Sequence, residues 1–224
     1  MKPARSREII SNQIGVHEKL FATLDKHLQN VYQKPVARYN LHAFTQAAEL
    51  VEAAGKPLIF DSGCGTGEST RFLAKKYPSH FVLGIDKSQL RIEKALADET
   101  DSGENIAFVR ADIFDFWRQA LAASWQVDKH YLLYPNPWPK KKYLQRRYHG
   151  HPVFPVLLKL GSYFEIRSNW EIYLQEFAAA VKYVCGVEAA INGFHPVHYL
   201  TNFEKKYHSS GHTLYKSCFS IHKD

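Results

Sequence analysis

The stretch Ile59-Phe60-Asp61-Ser62-Gly63-Cys64-Gly65-Thr66-Gly67 limits what this chain can fold into more than any other. Leu58, Ile59 and Phe60 form a short apolar run after Pro57, and glycine then recurs at every second position. The pattern reads as a buried strand breaking into a glycine loop. Glycine accepts positive φ at little cost and lets a ligand lie against the main chain. Glu68, Ser69 and Thr70 suit the first turn of a helix, which Phe72, Leu73 and the aliphatic stem of Lys76 continue. Strand, glycine loop and helix in that order bind nucleotide-like ligands.

The spacing narrows the ligand. A dinucleotide fingerprint is G-x-G-x-x-G, with pyrophosphate on the helix N-terminus. Here the spacing is G-x-G-x-G, and Asp61 stands at the strand end. A carboxylate there repels a pyrophosphate and attracts an ammonium group. S-adenosylmethionine, with its methionine ammonium, sulfonium and nucleoside, fits that charge pattern. The loop resembles the first motif of class I methyltransferases, which implies cofactor binding by Asp61, Gly63, Gly65 and Gly67. The competing reading is a plain strand–turn–helix whose glycines serve only the turn.

Strands and helices alternate after this point. His80–Asp86 reads as a second strand, and Ser88 as the cap of a helix with Leu90 and Leu96 among its apolar positions. Ile106–Asp112 reads as a third strand, and Phe114, Trp117 and Leu121 mark a helix. Tyr131–Tyr134 is a fourth strand, Val153–Leu160 a helix and Tyr163–Ile166 a fifth strand. Trp170, Tyr173, Leu174, Phe177 and Val181 recur at helical spacing. Val187–Ile191 and Thr213–Ile221 read as closing strands paired in a hairpin. The alternation predicts an α/β, doubly wound, mainly parallel sheet with right-handed crossovers and a C-terminal antiparallel hairpin. Ahead of it, Leu20, Leu24, Leu28 and Val31 predict one helix in an N-terminal extension, 1–34, whose basic start Lys2, Arg5 and Arg7 can touch an RNA backbone. Residues 35–224 are expected to form the main domain, opening on a helix that carries Leu41, Phe44, Ala48 and Val51.

In such sheets ligands bind outside the carboxyl ends of the strands. Asp61, Asp86, Asp112 and Asn136 close four successive strands and are expected to meet at one crevice. Asp86, one strand–helix unit after the loop, can accept from two ribose hydroxyls. Asp112 and its neighbouring backbone can accept from an adenine amino group.

Charge points to a partner. Lys and Arg number 29 against 22 Asp and Glu. Between Asp128 and Glu165 no acid occurs, while Lys129, Lys140, Lys141, Lys142, Arg146, Arg147 and Lys159 supply seven positive charges, which is the whole excess. Tyr134, Trp138, Tyr143 and Tyr148 interleave with them. A local basic patch with aromatics suggests a phosphate-rich partner, RNA in particular, over a merely solvated loop. Hydrophobic residues are 45% of the chain, with no membrane-length run and no signal-peptide core after Met1. Three cysteines without C-x-x-C spacing suggest a reduced, cytoplasmic protein. His149-x-His151 and His208-x-x-x-His212 lack further ligands at metal spacing, so no metal is expected.

The segment Tyr134-Pro135-Asn136-Pro137-Trp138-Pro139-Lys140-Lys141-Lys142-Tyr143-Leu144-Gln145-Arg146-Arg147 resembles the P-D-P-W-x-K loop of the bacterial tRNA (guanine-N7-)-methyltransferase family. Ser168-Asn169-Trp170-Glu171-x-Tyr173 is similar to its T-D-W-x-x-Y stretch, and Thr201-Asn202-Phe203-Glu204-Lys205-Lys206-Tyr207 to its T-x-[FY]-E-x-[KR]-[FY] stretch. The resemblance runs from about residue 57 to the end. It implies a Rossmann-like fold and S-adenosylmethionine-dependent transfer of a methyl group to N7 of a guanine in the tRNA variable loop. It implies substrate contacts at Lys140, Lys141, Arg146, Arg147, Ser168, Asn169, Thr201 and Glu204, with Asn136, Asn169 and Glu204 at the reacting end and Asn136 also beside the cofactor. Two departures stand out: Asn136 and Asn169 replace carboxylates of the family. Glu204 can accept from guanine N1–H and N2–H, with a hydroxyl contact from Thr201. Two alternatives remain open: methylation of another RNA base or an exocyclic amine, and a tRNA- or cofactor-binding paralogue with little turnover. Monomer and homodimer remain equally open.

Overall fold

The structure, a computed structural model, describes residues 6–98 and 103–222; Lys2 and Arg5 of the basic start lie outside them. The element order is α1 (Leu20–Gln29), α2 (Arg38–Ala54), β1 (Leu58–Ser62), α3 (Glu68–Lys76), β2 (Phe81–Asp86), α4 (Gln89–Ala97), β3 (Ile106–Arg110), α5 (Ile113–Ala122), β4 (Val127–Leu133), α6 (Phe154–Leu160), β5 (Gly161–Ser168), α7 (Glu171–Cys185), β6 (Ile191–Phe194), α8 (Asn202–Ser209) and β7 (Leu214–Ser220). Two short 3₁₀ turns, Lys141–Arg146 and Tyr148–Gly150, lie between β4 and α6.

The strands form one sheet in the order β3-β2-β1-β4-β5-β7-β6. β1 pairs in parallel with both β2 and β4, and β2 with β3. The order reverses at β1, so the crevice beyond its carboxyl end, between β1 and β4, is where such a sheet takes a ligand. Every residue of β1 and β2 is buried, as parallel strands covered on both faces require. The antiparallel closing pair is β6 with β7, running Ile191↔Ser217 to Phe194↔Leu214.

The chain divides into two compact units. One holds Gln33–Leu133 and Val156–Phe164, with the glycine loop and β1 to β4. The other holds the residues up to Tyr32, Tyr134–Pro155 and Glu165–Ile221, with the basic loop and the closing strands.

Several boundaries differ from the sequence expectation. β6 occupies Ile191–Phe194 rather than Val187–Ile191, because its partner register runs through Asn192 and Gly193, residues that read as a turn. α8, unforeseen as a helix, lies in the connection from β6 to β7. Its signal was present: Thr201 accepts from Glu204 N at 2.9 Å, the side-chain half of a T-x-x-E capping box. In α4 the buried residues are Ile92 and Ala95, whereas Leu90 and Leu96 face outward. In α1, Leu20 and Leu24 are buried and Leu28 is not; Val31 lies beyond the helix.

One buried polar network fixes the register of β1 against its cover. Trp117 Nε1 on α5 donates to Ser62 Oγ at 3.0 Å, and Ser62 Oγ meets His130 Nε2 on β4 at 2.8 Å. The Ser62 oxygen accepts from Trp117 and shares one hydrogen bond with the imidazole, whose Nδ1 is buried without a partner among the described residues. Phe164 stacks on the ring at 5.6 Å, and burial holds the His130 pKa down from 6.5 to about 3. Between those values only the unfolded chain takes the proton. The contribution to stability is therefore full above 6.5 and is lost as pH falls toward 3. We expect denaturant unfolding to show stability falling with acid over that window, with a slope shallower in His130→Gln by up to about 1.4 kcal/mol per pH unit. Identical slopes would show that His130 does not titrate in this way.

Candidate functional site

The glycine loop is built against the end of β2. Gly63 N and Cys64 N both donate to Ile85 O, at 2.7 and 3.1 Å, and Gly65 N donates to Asp86 Oδ2 at 3.1 Å. Gly63, Gly65 and Gly67 all have left-handed φ, at 83°, 60° and 88°, which explains the alternation seen in the sequence. A Cβ on Gly65 would meet nothing within 4 Å, so the loop presents bare backbone there. At Gly67 a Cβ would strike the Phe108 ring at 2.7 Å, so packing also demands glycine.

The carboxylates around this loop are already engaged. Asp86 Oδ1 accepts from Ser88 N at 2.8 Å, so Asp86 holds the turn into α4 as well as the loop. Asp61 is buried, and its Oδ2 accepts from Ser69 Oγ at 2.6 Å and Thr70 Oγ1 at 2.7 Å. Burial raises the Asp61 pKa to about 6, against the two hydroxyl bonds that lower it, with Asp86 adding to the rise. Asp61 thus ties β1 to the first turn of α3, and its Oδ2 is already occupied by two hydroxyls. Asp112 caps α5, its Oδ1 accepting from Phe114 N at 3.0 Å, while its own N–H donates to Asn40 Oδ1 at 3.0 Å. Asn40, fully buried on α2, also donates to Asp115 Oδ2 at 2.7 Å. Sequence reading missed it, because one Asn inside a helical pattern carries no signal of its own. Burial pushes the Cys64 thiol well up, in keeping with a small filler.

The basic loop belongs to the other unit. Lys140, Lys142 and Arg146 are exposed there. The Arg146 guanidinium lies over the Trp138 ring at 4.7 Å and the Tyr143 ring at 4.6 Å, a cation mounted on aromatics. Lys141 pairs with Glu18 at 3.3 Å. Arg147 corrects the expectation that it contacts phosphate. It is fully buried and forms an ion pair with Glu176; it also donates to Gln13 Oε1 at 3.1 Å and to Trp138 O at 3.2 and 3.0 Å. His149 Nε2 adds a bond to Glu176 Oε2 at 2.8 Å. Burial alone would raise Glu176, but His149 and Arg147 outweigh it and hold the carboxyl at about 2. Tyr134 and Trp138 take left-handed φ of 52° and 45°, uncommon for aromatics and tolerated only where neighbours fix the backbone. Asn136, exposed, turns its Oδ1 to Trp138 N at 3.3 Å. That oxygen is spent inside the loop, which argues against its holding the hydrogens of an exocyclic amine.

The remaining expected residues surround a second ion cluster. Glu204 is fully buried. Arg167 Nη1 donates to both its oxygens, at 3.1 and 2.9 Å, Tyr134 Oη donates to Oε2 at 3.0 Å, and Leu200 N approaches Oε1 at 3.3 Å. A carboxylate has about four acceptor positions, and these contacts fill them. Glu204 therefore organises this region; the expectation that it reads a guanine edge requires acceptors that are taken. Burial works against charge on Arg167, but Glu165 and Glu204 more than offset it. Arg167 had no signal in the sequence, because its partner is 37 residues away. Ser168 Oγ accepts from Trp170 N at 3.0 Å, and Thr201 spends its hydroxyl as the cap of α8. Asn169 meets His212 Nδ1 at 3.1 Å, whose Nε2 lies 3.1 Å from Ser6 O. Among the described residues no group of three His, Cys, Asp or Glu could hold a metal, and no helix is long and apolar enough to cross a membrane.

A glycine loop at the reversal point of a doubly wound sheet, acids at the ends of its first two strands and an antiparallel closing pair define a class I methyltransferase fold. The solved 16S rRNA methyltransferase KamB shares it at a TM-score of 0.58 and 18% identity, over 85% of this chain and 96% of that one. The model of the family described as "Putative methyltransferase" matches residues 55–217, and the chain belongs to that methyltransferase family. The tRNA (guanine-N(7)-)-methyltransferase of Nitrosomonas europaea is 27% identical over 207 residues, 87% of this chain and 89% of the relative. That of Ralstonia pickettii is 28% identical over 174 residues, 74% of this chain and 67% of the relative.

The burial of Arg147 separates it from its exposed neighbours in a measurable way. Arg147→Met leaves Glu176 and His149 buried without their cation, and we expect a loss of about 3–5 kcal/mol in denaturant unfolding. Lys140→Ala should stay within about 0.5 kcal/mol. Equal, small effects would show that the buried pair is not a structural anchor.

Proposed function

We propose that this enzyme transfers a methyl group from S-adenosylmethionine to N7 of a guanine in tRNA, in the variable loop, and that it does so in the cytoplasm. The observation that carries this reading is the similarity to tRNA (guanine-N(7)-)-methyltransferases along most of the chain, and the basic P-x-P-W loop with its exposed cations supports it. In this reading residues 35–224 do the chemistry, and 1–34 are an extension to it.

The residues present fit the cofactor. Bare backbone at Gly65 gives a ligand room for close approach, and Asp86 stands beside it with a carboxylate suited to ribose hydroxyls. Asp61 supplies negative charge for the ammonium end, and Asp112 stands at the end of β3 for the adenine side. When bound, the cofactor supplies an electrophilic methyl on a sulfonium. Guanine N7 has an in-plane lone pair and no proton, so the chain needs no general base. Its work is to hold the purine in line, which is catalysis by proximity. Lys140, Lys142 and Arg146 take the phosphates, with Trp138 and Tyr143 beneath them. Lys141 joins them if it leaves Glu18. Asn136 and Asn169 stand where the family resemblance puts carboxylates, so the cationic product gains less electrostatic support here.

Two sets of experiments test this reading, the first on tRNA. Unmodified tRNA transcripts incubated with the protein and S-adenosylmethionine should acquire 7-methylguanosine at one position, mapped by chemical cleavage. Replacing Lys140, Lys142 and Arg146 with Ala should flatten the salt dependence of tRNA binding by about 0.7 per lost phosphate contact. No methylation of any tRNA would favour the paralogue that binds without turnover. The second concerns Asp61. A ligand ammonium prefers the ionised carboxylate, so below about 6 binding must expel a proton. Calorimetric affinity for S-adenosylmethionine should fall toward tenfold per pH unit between about 6 and 5, and Asp61→Asn should abolish that dependence. An unchanged profile in Asp61→Asn would exclude Asp61 as the ligand's counter-charge.

A further inference from the structure

We infer that the N-terminal segment from Ser6 to His27 is a brace that positions the basic loop, acting through Ser11, Gln13, Glu176 and Arg147 as positioning residues. The inference rests on the reading of that loop as the tRNA docking surface.

The segment docks in a way the hydrophobic effect would not choose. Gln13 and His17 are 5% and 6% exposed, whereas the neighbouring Ile10 and Ile14 are 89% and 101% exposed. Burying two polar side chains and leaving two isoleucines in water is favourable only if the polar groups are fully partnered. Gln13 is: its amide nitrogen donates to Glu176 Oε1 and to Gly15 O, the latter at 2.7 Å, and its amide oxygen accepts from Arg147. At His17 the ring Nδ1 accepts from Lys19 N at 3.0 Å, and the backbone N–H donates to Glu176 Oε1 at 3.0 Å. Further along, His27 Nε2 reaches Gly150 O at 3.1 Å, where the imidazole has to carry its proton to donate.

The other side of this cluster grips the loop. Arg147 donates twice to Trp138 O, and Ser11 Oγ donates to Pro139 O at 2.6 Å. Two successive loop carbonyls are thereby fixed, one by the cluster and one by the segment itself. They follow directly on the Trp138 Cα, where the backbone takes its left-handed φ. Trp138 in turn carries the Arg146 guanidinium. A chain of direct contacts therefore runs from Gln13 through Arg147 to Trp138 and ends at an exposed cation. Loosening the segment should leave the loop's charges in place but unfix their arrangement. A docking surface in that state binds more weakly because its ordering is left to the moment of binding.

The test uses the full chain with Ser11→Ala and Gln13→Ala together. Hydrogen exchange of amides 138–147 should accelerate. The Ser11 side chain makes one bond to the loop and the Gln13 side chain three bonds, two of them to charged groups, and the KM for tRNA should rise at least about tenfold as the loop's order is lost. The kcat at saturating tRNA and the affinity for S-adenosylhomocysteine should stay near wild type, which also shows that the variant folds. Ser11→Thr, which keeps the hydroxyl, should leave every readout unchanged. Unaltered exchange across 138–147 overturns the brace. Faster exchange with an unchanged KM overturns its role in docking. The Lys140, Lys142 and Arg146 alanine variant then tells which idea failed. If it weakens tRNA binding, the loop docks RNA and the brace is wrong; if it does not, the docking reading itself has failed.

Discussion

The ion pair between Arg147 and Glu176 is the constraint on which its half of the chain depends. Two opposite charges without water must satisfy every remaining donor and acceptor or destabilise the fold. Here every nitrogen of Arg147 has a partner, and the cluster recruits four separate stretches: Gln13 and His17 from the N-terminal segment, Trp138 from the basic loop, His149 from the following turn and Glu176 on α7. Of these, α7 is also held by its own apolar face of Tyr173, Leu174, Phe177 and Val181, whereas the basic loop buries only Leu144 beside Arg147. The pair thus specifies where they lie, which an apolar core filled to the same volume would do less selectively.

The sheet was legible because its central strands obey a local rule. Continuous apolar runs ending in Asp61 and Asp86, and glycine at three alternating positions, are decided within a few residues. The structure repeats them with shifts of one to four residues at the strand ends. The same locality explains the errors. β6 was misplaced because Asn192 and Gly193 mimic a turn and only the distant β7 makes them strand. At the site, local patterns pick out the basic residues but cannot sort them. Arg146 and Arg147 are adjacent in sequence, yet one is mounted outward on Trp138 and the other is the core cation. That Glu204 is buried against Arg167 was likewise not readable, since Arg167 is remote in sequence. Charge in a motif is readable from sequence; whether that charge is already spent is a tertiary fact.

The same holds for the other carboxylates. Asn136 and Asn169 are neutral, and Glu204 is matched by Arg167. By the glycine loop, Asp86 lies 3.5 Å from Arg91, so it too has a partner of opposite sign. Asp61 is different: it is held by the two hydroxyls of Ser69 and Thr70, while burial raises its pKa and Asp86 adds to the rise. A carboxylate held by hydroxyls alone keeps its charge uncompensated, so burial prevails over the bonds that favour ionisation.

The short β6 has a consequence for how the protein behaves at high concentration. It closes the sheet, so among the described residues one side of it has no strand beside it. An open strand edge is a template on which a second chain can add by backbone pairing. β6 offers only four residues, with Asn192 and Gly193 at its centre, both poor at sustaining an extended, regular edge. The sheet ends on the segment least able to recruit another copy of itself, and the feature that hid β6 from sequence reading is the one that keeps its edge quiet.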